Sequence, residues 1–564
     1  MLLAQAPDDS TSAFGPYLRE LLALEGFATI DEVPRDRLEE ALAGGATGLV
    51  LPRMQLPLAV ADTVAAWVHR GGKLIALHPD NALLNRLGFV PGYLHVTAGV
   101  VSFPDTPTLV GLPLDPVQVI VPTALFTAGP DLTATVLATV AGPGDTFART
   151  PAIWQANVGA GEVILFGFDL AKAVARLRHG DPALADMPNE IFDRIQRPSD
   201  LFRGQIDARQ ATVPQADILT AVLGRAVETL LPQPRLWYYP EVAQRSVVIQ
   251  TSDDDWSTLE QFEVLTGVLK EYDARCTFYV VNGTILSTDL MDRWERDGHV
   301  FSVHPANMFD VEGRPGTDEA QQFWVPQMVR ENVARHVEQF GRPVRTIRNH
   351  AIRWVGYMDL VYLHAELGIR AEANYFAMGA VLSGYLTGSG RLARSVDADG
   401  TVIDHLQIAT HWSEEILVSD AHGFSERWLY SRAREFTNGI ITNAATRYFT
   451  PTVFNSHPVS FATYSRPLIE SNWQTARELG VPIITAEEWV DFTDARRGLE
   501  LSATPDGFEV TVIQDLARAV VLVPATLTGD GGSETIWGRN YTPVTLDNLV
   551  AGERRQVSVP GMRA

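Results

Sequence analysis

The chain has 564 residues, 46% of them hydrophobic and 20% charged, which excludes a disordered or fibrous protein. That length is too great for a single core and predicts about three or four domains. The formal net charge of −23 counts against a nucleic-acid partner, which needs concentrated Lys and Arg, and against docking on an anionic membrane.

One cysteine, Cys276, allows neither a disulfide within the chain nor a zinc site built on cysteines. The start, MLLAQAPDDS, lacks the basic segment of a signal peptide, and no run of 18 apolar residues follows. The expectation is a cytoplasmic protein, or an extracellular one if further residues precede this start.

From residue 1 to 235, short apolar runs alternate with amphipathic stretches. ATGLVLP (46–52) reads as a buried strand, LAVADTVAAWVHRGG as a helix closed by Gly71-Gly72, and KLIALHP as the next strand. GAGEVILFGFDLAKAVARLRHG repeats turn, strand and helix, and this alternation predicts a parallel sheet covered by helices. LPQPRLWYYPEVAQ (231–244), with three prolines and three aromatics, reads as a linker packed on a surface. Residues 236–495 again alternate strands and helices, as expected of a distorted (β/α) barrel or barrel-like sheet with working groups at strand C-termini. Residues 496–564 turn to short alternating strands with Gly, Pro and Asp turns, which predicts a small β-sandwich.

Within 236–495 the acids and histidines fall at the ends of apolar runs. Asp253, Asp254 and Asp255 follow one, His304 a second, His350 a third and His457 a late one. Three adjacent carboxylates repel one another, so their placement needs a reason. Two adjacent side chains leave a strand end in different directions, so one acid can hold a cation while the other faces a water molecule.

These stretches resemble the polysaccharide deacetylase family (NodB-homology, carbohydrate esterase family 4) over roughly residues 236–493. The family's Thr-Phe-Asp-Asp-Gly appears as Thr251-Ser252-Asp253-Asp254-Asp255. The resemblance implies Asp253 as general base and Asp254 as metal ligand, with Asp255 in the glycine's place and read as a turn or capping residue. GHVFSVHPANM matches the His-Ser/Thr-x-x-His motif at His304 but carries Met308 at the second ligand position. A thioether is a poor ligand for a borderline divalent ion. RNHAIRWVG keeps Arg348, expected to orient Asp253, and offers His350 as a replacement imidazole. TVFNSHP supplies His457, in the family the general acid for the leaving group. For the fourth motif, VIDHLQIATHWSEE offers Asp404, His411 and Glu414.

The implied activity is a metal-dependent deacetylase of acetylated carbohydrate, with zinc as the expected divalent ion. Two alternatives stand beside it: an inactive relative that binds a glycan or a partner protein, and a hydrolase of other C–N bonds. Residues 1–235 resemble the class I glutamine amidotransferase-like fold but lack its cysteine nucleophile, which predicts an accessory module with His78 in a structural role. His299, His336, His364 and His422 read as surface or helix residues. Trp256, Trp354 and Trp412 read as a sugar platform or as core.

Overall fold

A computed structural model describes residues 1–6, 9–142, 149–185, 187, 195–306, 318–378, 383–420, 425–529 and 531–562. The first region holds a nine-stranded sheet. Its order is Asp31–Pro34, Leu2–Gln5, Gly48–Leu51, Lys73–Leu77, Gly161–Phe166, Thr150–Val158, Thr133–Ala141, Gly99–Ser102 and Val117–Val119. Gly48–Leu51 is wholly buried and Lys73–Leu77 nearly so, as strands covered on both faces must be. The helix Leu58–His69 packs between them in sequence. Gly72, in the turn that follows it, has no room for a side chain, because a Cβ there would lie 2.4 Å from the Trp67 ring.

The parallel sheet expected here is parallel over only its first five strands; the other four continue it antiparallel. The reason is local. Only Gly159 and Ala160 separate Thr150–Val158 from Gly161–Phe166, and so short a connection joins antiparallel neighbours only.

The presumed surface linker is buried instead. Arg235–Leu236 pairs with Leu516–Pro524, and Trp237, Tyr238 and Tyr239 are buried in one core with Ile249, Tyr279, Val453, Val520 and Leu522. Buried ion pairs seal it: Arg235 Nε lies 2.7 Å from Glu228 Oε1, and Arg391 Nη1 lies 2.7 Å from Glu25 Oε1.

The central sheet runs Ala393–Val396, Val402–Gln407, Ala371–Glu372, Thr346–Ile347, Val300–Val303, Thr277–Val280, Val248–Asp253, Thr452–Ser456 and Trp412–Ser413, with Ile483–Ile484 also paired to Val248–Asp253. All pairs are parallel except the antiparallel edge Ala393–Val396. Its two outermost strands do not pair with each other, so the expected barrel is an open half-barrel among the described residues. Toward the C-terminus, Leu499–Thr504, Gly507–Val512 and Arg554–Ser558 form one antiparallel sheet. Leu516–Pro524, Glu534–Ile536 and Arg539–Leu549 form another, and the two share a core of Leu501, Phe508, Val510, Val521 and Leu546.

Candidate active site

The carboxyl ends of four of five consecutive central strands, all but Thr277–Val280, bring Asp253, Asp255, His304, Arg348, His350 and His457 together. Asp253 ends its strand and is buried. Its Oδ1 accepts from Arg348 Nη1 at 3.2 Å and its Oδ2 from Asn455 Nδ2 at 2.9 Å. Arg348 is fully buried and fixed on several sides. It donates to Ala373 O at 2.9 Å, to Thr251 Oγ1 at 2.8 Å and to Thr410 Oγ1 at 2.6 Å. A guanidinium held this way cannot swing, so Asp253 is both oriented and charge-compensated.

The two neighbouring acids face opposite to the expectation. Asp254, read as the metal ligand, turns away from the histidines. Its Oδ1 accepts from Ser257 N at 3.1 Å and its Oδ2 from Val281 N at 3.4 Å, and burial pushes its pKa up to about 6. Asp255, read as a turn or cap, faces the imidazoles instead. Its Oδ1 lies 3.3 Å from His304 Nε2 and 3.9 Å from His350 Nε2, and its Oδ2 lies 3.7 Å from His457 Nε2. The helix cap is Thr258, which forms a capping box with Gln261 at the start of Leu259–Glu271.

The backbone explains the exchange. Asp255 and Trp256 adopt φ of 43° and 56°, the left-handed region that only Gly enters freely, and this turn carries Asp255 back over the strand ends. Across the site Ala351 and Ile352 do the same at 54° and 45°. For a β-branched residue such as Ile352 that is an outlier, and strain of this kind clusters at functional sites.

His304 Nδ1 lies 2.7 Å from the Arg348 carbonyl oxygen, which can only accept, so Nδ1 carries the proton. In a neutral ring Nε2 is then an acceptor aimed at another acceptor, Asp255 Oδ1, itself buried and without a hydrogen bond of good geometry. Two facing acceptors call for a cation between them, whether a proton or a metal ion. Burial opposes charge on both groups. It is outweighed, since Asp253 and Asp255 raise the pKa of His304, while His304, His457 and His350 hold that of Asp255 below the usual carboxylate range.

His457 Nδ1 lies 2.9 Å from Glu414 Oε1, which also accepts from the His457 backbone N–H at 2.7 Å. Burial works against a proton on His457, but Glu414 and Glu415 raise its pKa well above the usual value. Glu414 is therefore the partner among the three candidates of the fourth motif. Asp404 is paired with Arg370 and Arg394 at 2.9 Å each, on the exposed edge strand. His411 is buried, with Nδ1 accepting from Val453 N at 2.9 Å and burial lowering its pKa to about 4.

Asn307, Met308 and His422 lie outside the described residues. Trp354 and Trp412 are core residues, whereas Trp256 stays 41% exposed with its ring edge-on to His350 at 5.3 Å. His336 and His364 lie in helices, one of the two expected places, and both are buried, as is His299 outside any helix. Sequence reasoning missed Asp255 and could not single out Glu414. The one available signal was that Asp255 stands where the motif this stretch resembles has glycine, the residue that enters positive φ freely.

Two imidazoles and a carboxylate form a donor set suited to a zinc-type ion, and the orphaned Asp255 Oδ1 fits one. Among the described residues, no group of three or more His, Cys, Asp or Glu has the spacing of a formed metal site.

No protein-family model matches the chain, and no curated protein does. Among solved structures, the carbohydrate deacetylase Agd3 is similar over 98% of this chain and 97% of its own, at 13% identity and a TM-score of 0.41. The chitin deacetylase of the fungal pathogen Colletotrichum lindemuthianum is similar over 44% of this chain and 87% of its own, at 16% identity and a TM-score of 0.28. A polysaccharide deacetylase from Bacillus cereus is similar over 42% of this chain and 91% of its own, at 14% identity and a TM-score of 0.26.

Proposed function

We propose that the chain is a metal-dependent hydrolase that removes acetyl groups from carbohydrate. The observation that carries this reading is the arrangement of Asp255, His304 and His350 beside Asp253, held by Arg348, and His457, held by Glu414.

Asp255, His304 and His350 would hold a divalent ion such as zinc, which supplies Lewis-acid chemistry when bound. Asp253, fixed by Arg348 and Asn455, accepts a proton from the attacking water. His457, kept protonated by Glu414, lies across the site with Nε2 3.9 Å from Asp253 Oδ2. From Nε2 it delivers a proton to the departing sugar amine or hydroxyl. One group takes a proton while the other gives one, and each is held by a partner of its own. The Arg348 carbonyl fixes the His304 tautomer, leaving Nε2 as the ligating atom. Trp256, at the rim, offers an aromatic face to a sugar ring.

The test pairs metal analysis with an acetate-release assay on acetylated oligosaccharides. The expected result is one equivalent of zinc retained through dialysis in the parent chain, lost in Asp255→Asn and His304→Ala, with activity following the metal. Retained zinc and full activity in Asp255→Asn would overturn the assignment. A folded, metal-free and inactive parent would favour a glycan-binding relative.

A further inference from the structure

We propose that the first region carries a second ligand site, separate from the deacetylase centre, that binds a small polyhydroxylated molecule through an oxyanion group held by Arg53 and Lys172. The oxyanion is a carboxylate or a phosphate.

The place follows from topology. From Leu2–Gln5 the chain adds Asp31–Pro34 on one side and then Gly48–Leu51 on the other. Connections diverging from adjacent parallel strands leave a crevice beyond their carboxyl ends, where open α/β sheets bind ligands. A crevice of about 820 Å³ lies there, lined by Gln5 and Arg53 from those two strand ends and by Ser12, Asp169 and Lys172. That volume falls in the usual range for small-molecule sites, roughly 300–1,000 Å³.

The unused charges decide the ligand. Each acid on the wall is already engaged. Asp9 accepts from Gln55 N at 2.7 Å and pairs with Arg35 at 3.2 Å, and Asp169 caps the helix Leu170–His179 by accepting from Lys172 N at 3.1 Å. Asp399 accepts from Thr401 N at 2.9 Å. Arg53 and Lys172 make no ion pair among the described residues. The helix Gly15–Leu24 also opens onto the crevice without a side-chain cap, so its first-turn N–H groups and dipole favour an anion.

A further observation points to a ligand. Ser12 is 4% exposed, lines the crevice, and its Oγ has no hydrogen-bond partner. The hydroxyls of Ser10 and Ser12 on the wall suit a ligand that carries hydroxyl groups beside its anion. The central region closes one side: Gly400 approaches so near that a Cβ there would lie 2.0 Å from Ala13 O.

Isothermal titration of the full chain with glucuronate, glucose 6-phosphate and glucose tests this. The expected result is saturable binding of at least one anion, with glucose weaker by about tenfold or more, the worth of a charge-assisted hydrogen bond. Arg53→Gln should weaken the anion to a similar degree, Arg53→Lys should restore part of it, and Lys172→Gln carries the same test should Arg53→Gln not fold. Glucuronate binding alone identifies a sugar acid, and glucose 6-phosphate binding alone a sugar phosphate. Equal affinity for glucose, no binding of either anion, or unchanged affinity in a folded Arg53→Gln would each overturn the proposal.

Discussion

Two groups of buried histidines in the central region invite comparison. At the strand ends, His304 and His457 lie beside carboxylates, and their pKa values rise despite burial. Between the helix Asp359–Glu366 and the strand Val402–Gln407, His364 and His405 lie with ring centroids 5.5 Å apart and with all four ring nitrogens unpartnered. Burial there lowers the pKa of His364 to about 3 and that of His405 well below its usual value. Burial is common to both groups, so it does not distinguish chemistry from packing. A facing carboxylate does.

The largest expected effect comes from removing that carboxylate. Asp255→Asn should lower kcat/KM by about 10³-fold, the scale of losing one group that stabilises transition-state charge, with little change in the urea midpoint. Loss of fold instead of activity would place Asp255 with the packing residues. Glu414→Gln comes next. It removes the anion that holds the His457 proton, and kcat should drop by about 10²-fold, within the ~10²–10⁴ a proton-transfer group contributes. If KM alone moved, His457 would be a binding residue.

The sequence carried part of this site openly. An apolar run ending in His304 or His457, and Arg348 after a third run, mark strand ends without any structure. The first region was readable for the same reason: Gly48–Leu51, Lys73–Leu77 and the helix Leu58–His69 follow simple periodicity. What stayed hidden depends on geometry that periodicity does not encode. Which of three adjacent acids faces the histidines is set by a left-handed turn at residues not specialised for it. Glu414 is singled out from Asp404 and His411 only by the pairing of Trp412–Ser413 beside Thr452–Ser456, which sets it against His457. The open edge of the central sheet and the burial of His364 are likewise tertiary facts.

A third prediction concerns stability. His364 and His405 have folded pKa values below the unfolded value near 6.5, so the unfolded chain takes up protons first as pH falls. The stability these two histidines contribute is therefore fully present above about pH 6.5 and is lost on acidification toward about pH 3, by up to about 1.4 kcal/mol per pH unit for each histidine. His405→Phe removes one of these protons. Its urea midpoint should fall less steeply than the parent's between about pH 6.5 and pH 5, the window in which that proton is taken up. Parallel curves would mean that the pair titrates normally and is not sealed from water.

The smallest effect on activity separates the two adjacent acids. Asp254 is fully buried, but its oxygens accept from the backbone N–H groups of Ser257 and Val281 and face no histidine. Asn at 254 keeps one acceptor and sets an amide donor against the other N–H, which costs about 1–3 kcal/mol of stability. The Asp253 and Asp255 positions should shift little, so kcat should stay within about tenfold of the parent, a barrier change under about 1.4 kcal/mol. Initial rates and urea melts of Asp254→Asn and Asp255→Asn, measured side by side, give opposite patterns if the left-handed turn sets the roles: one variant loses stability, the other activity. The reverse pattern would return the ligand role to Asp254 and leave Asp255 as the turn residue.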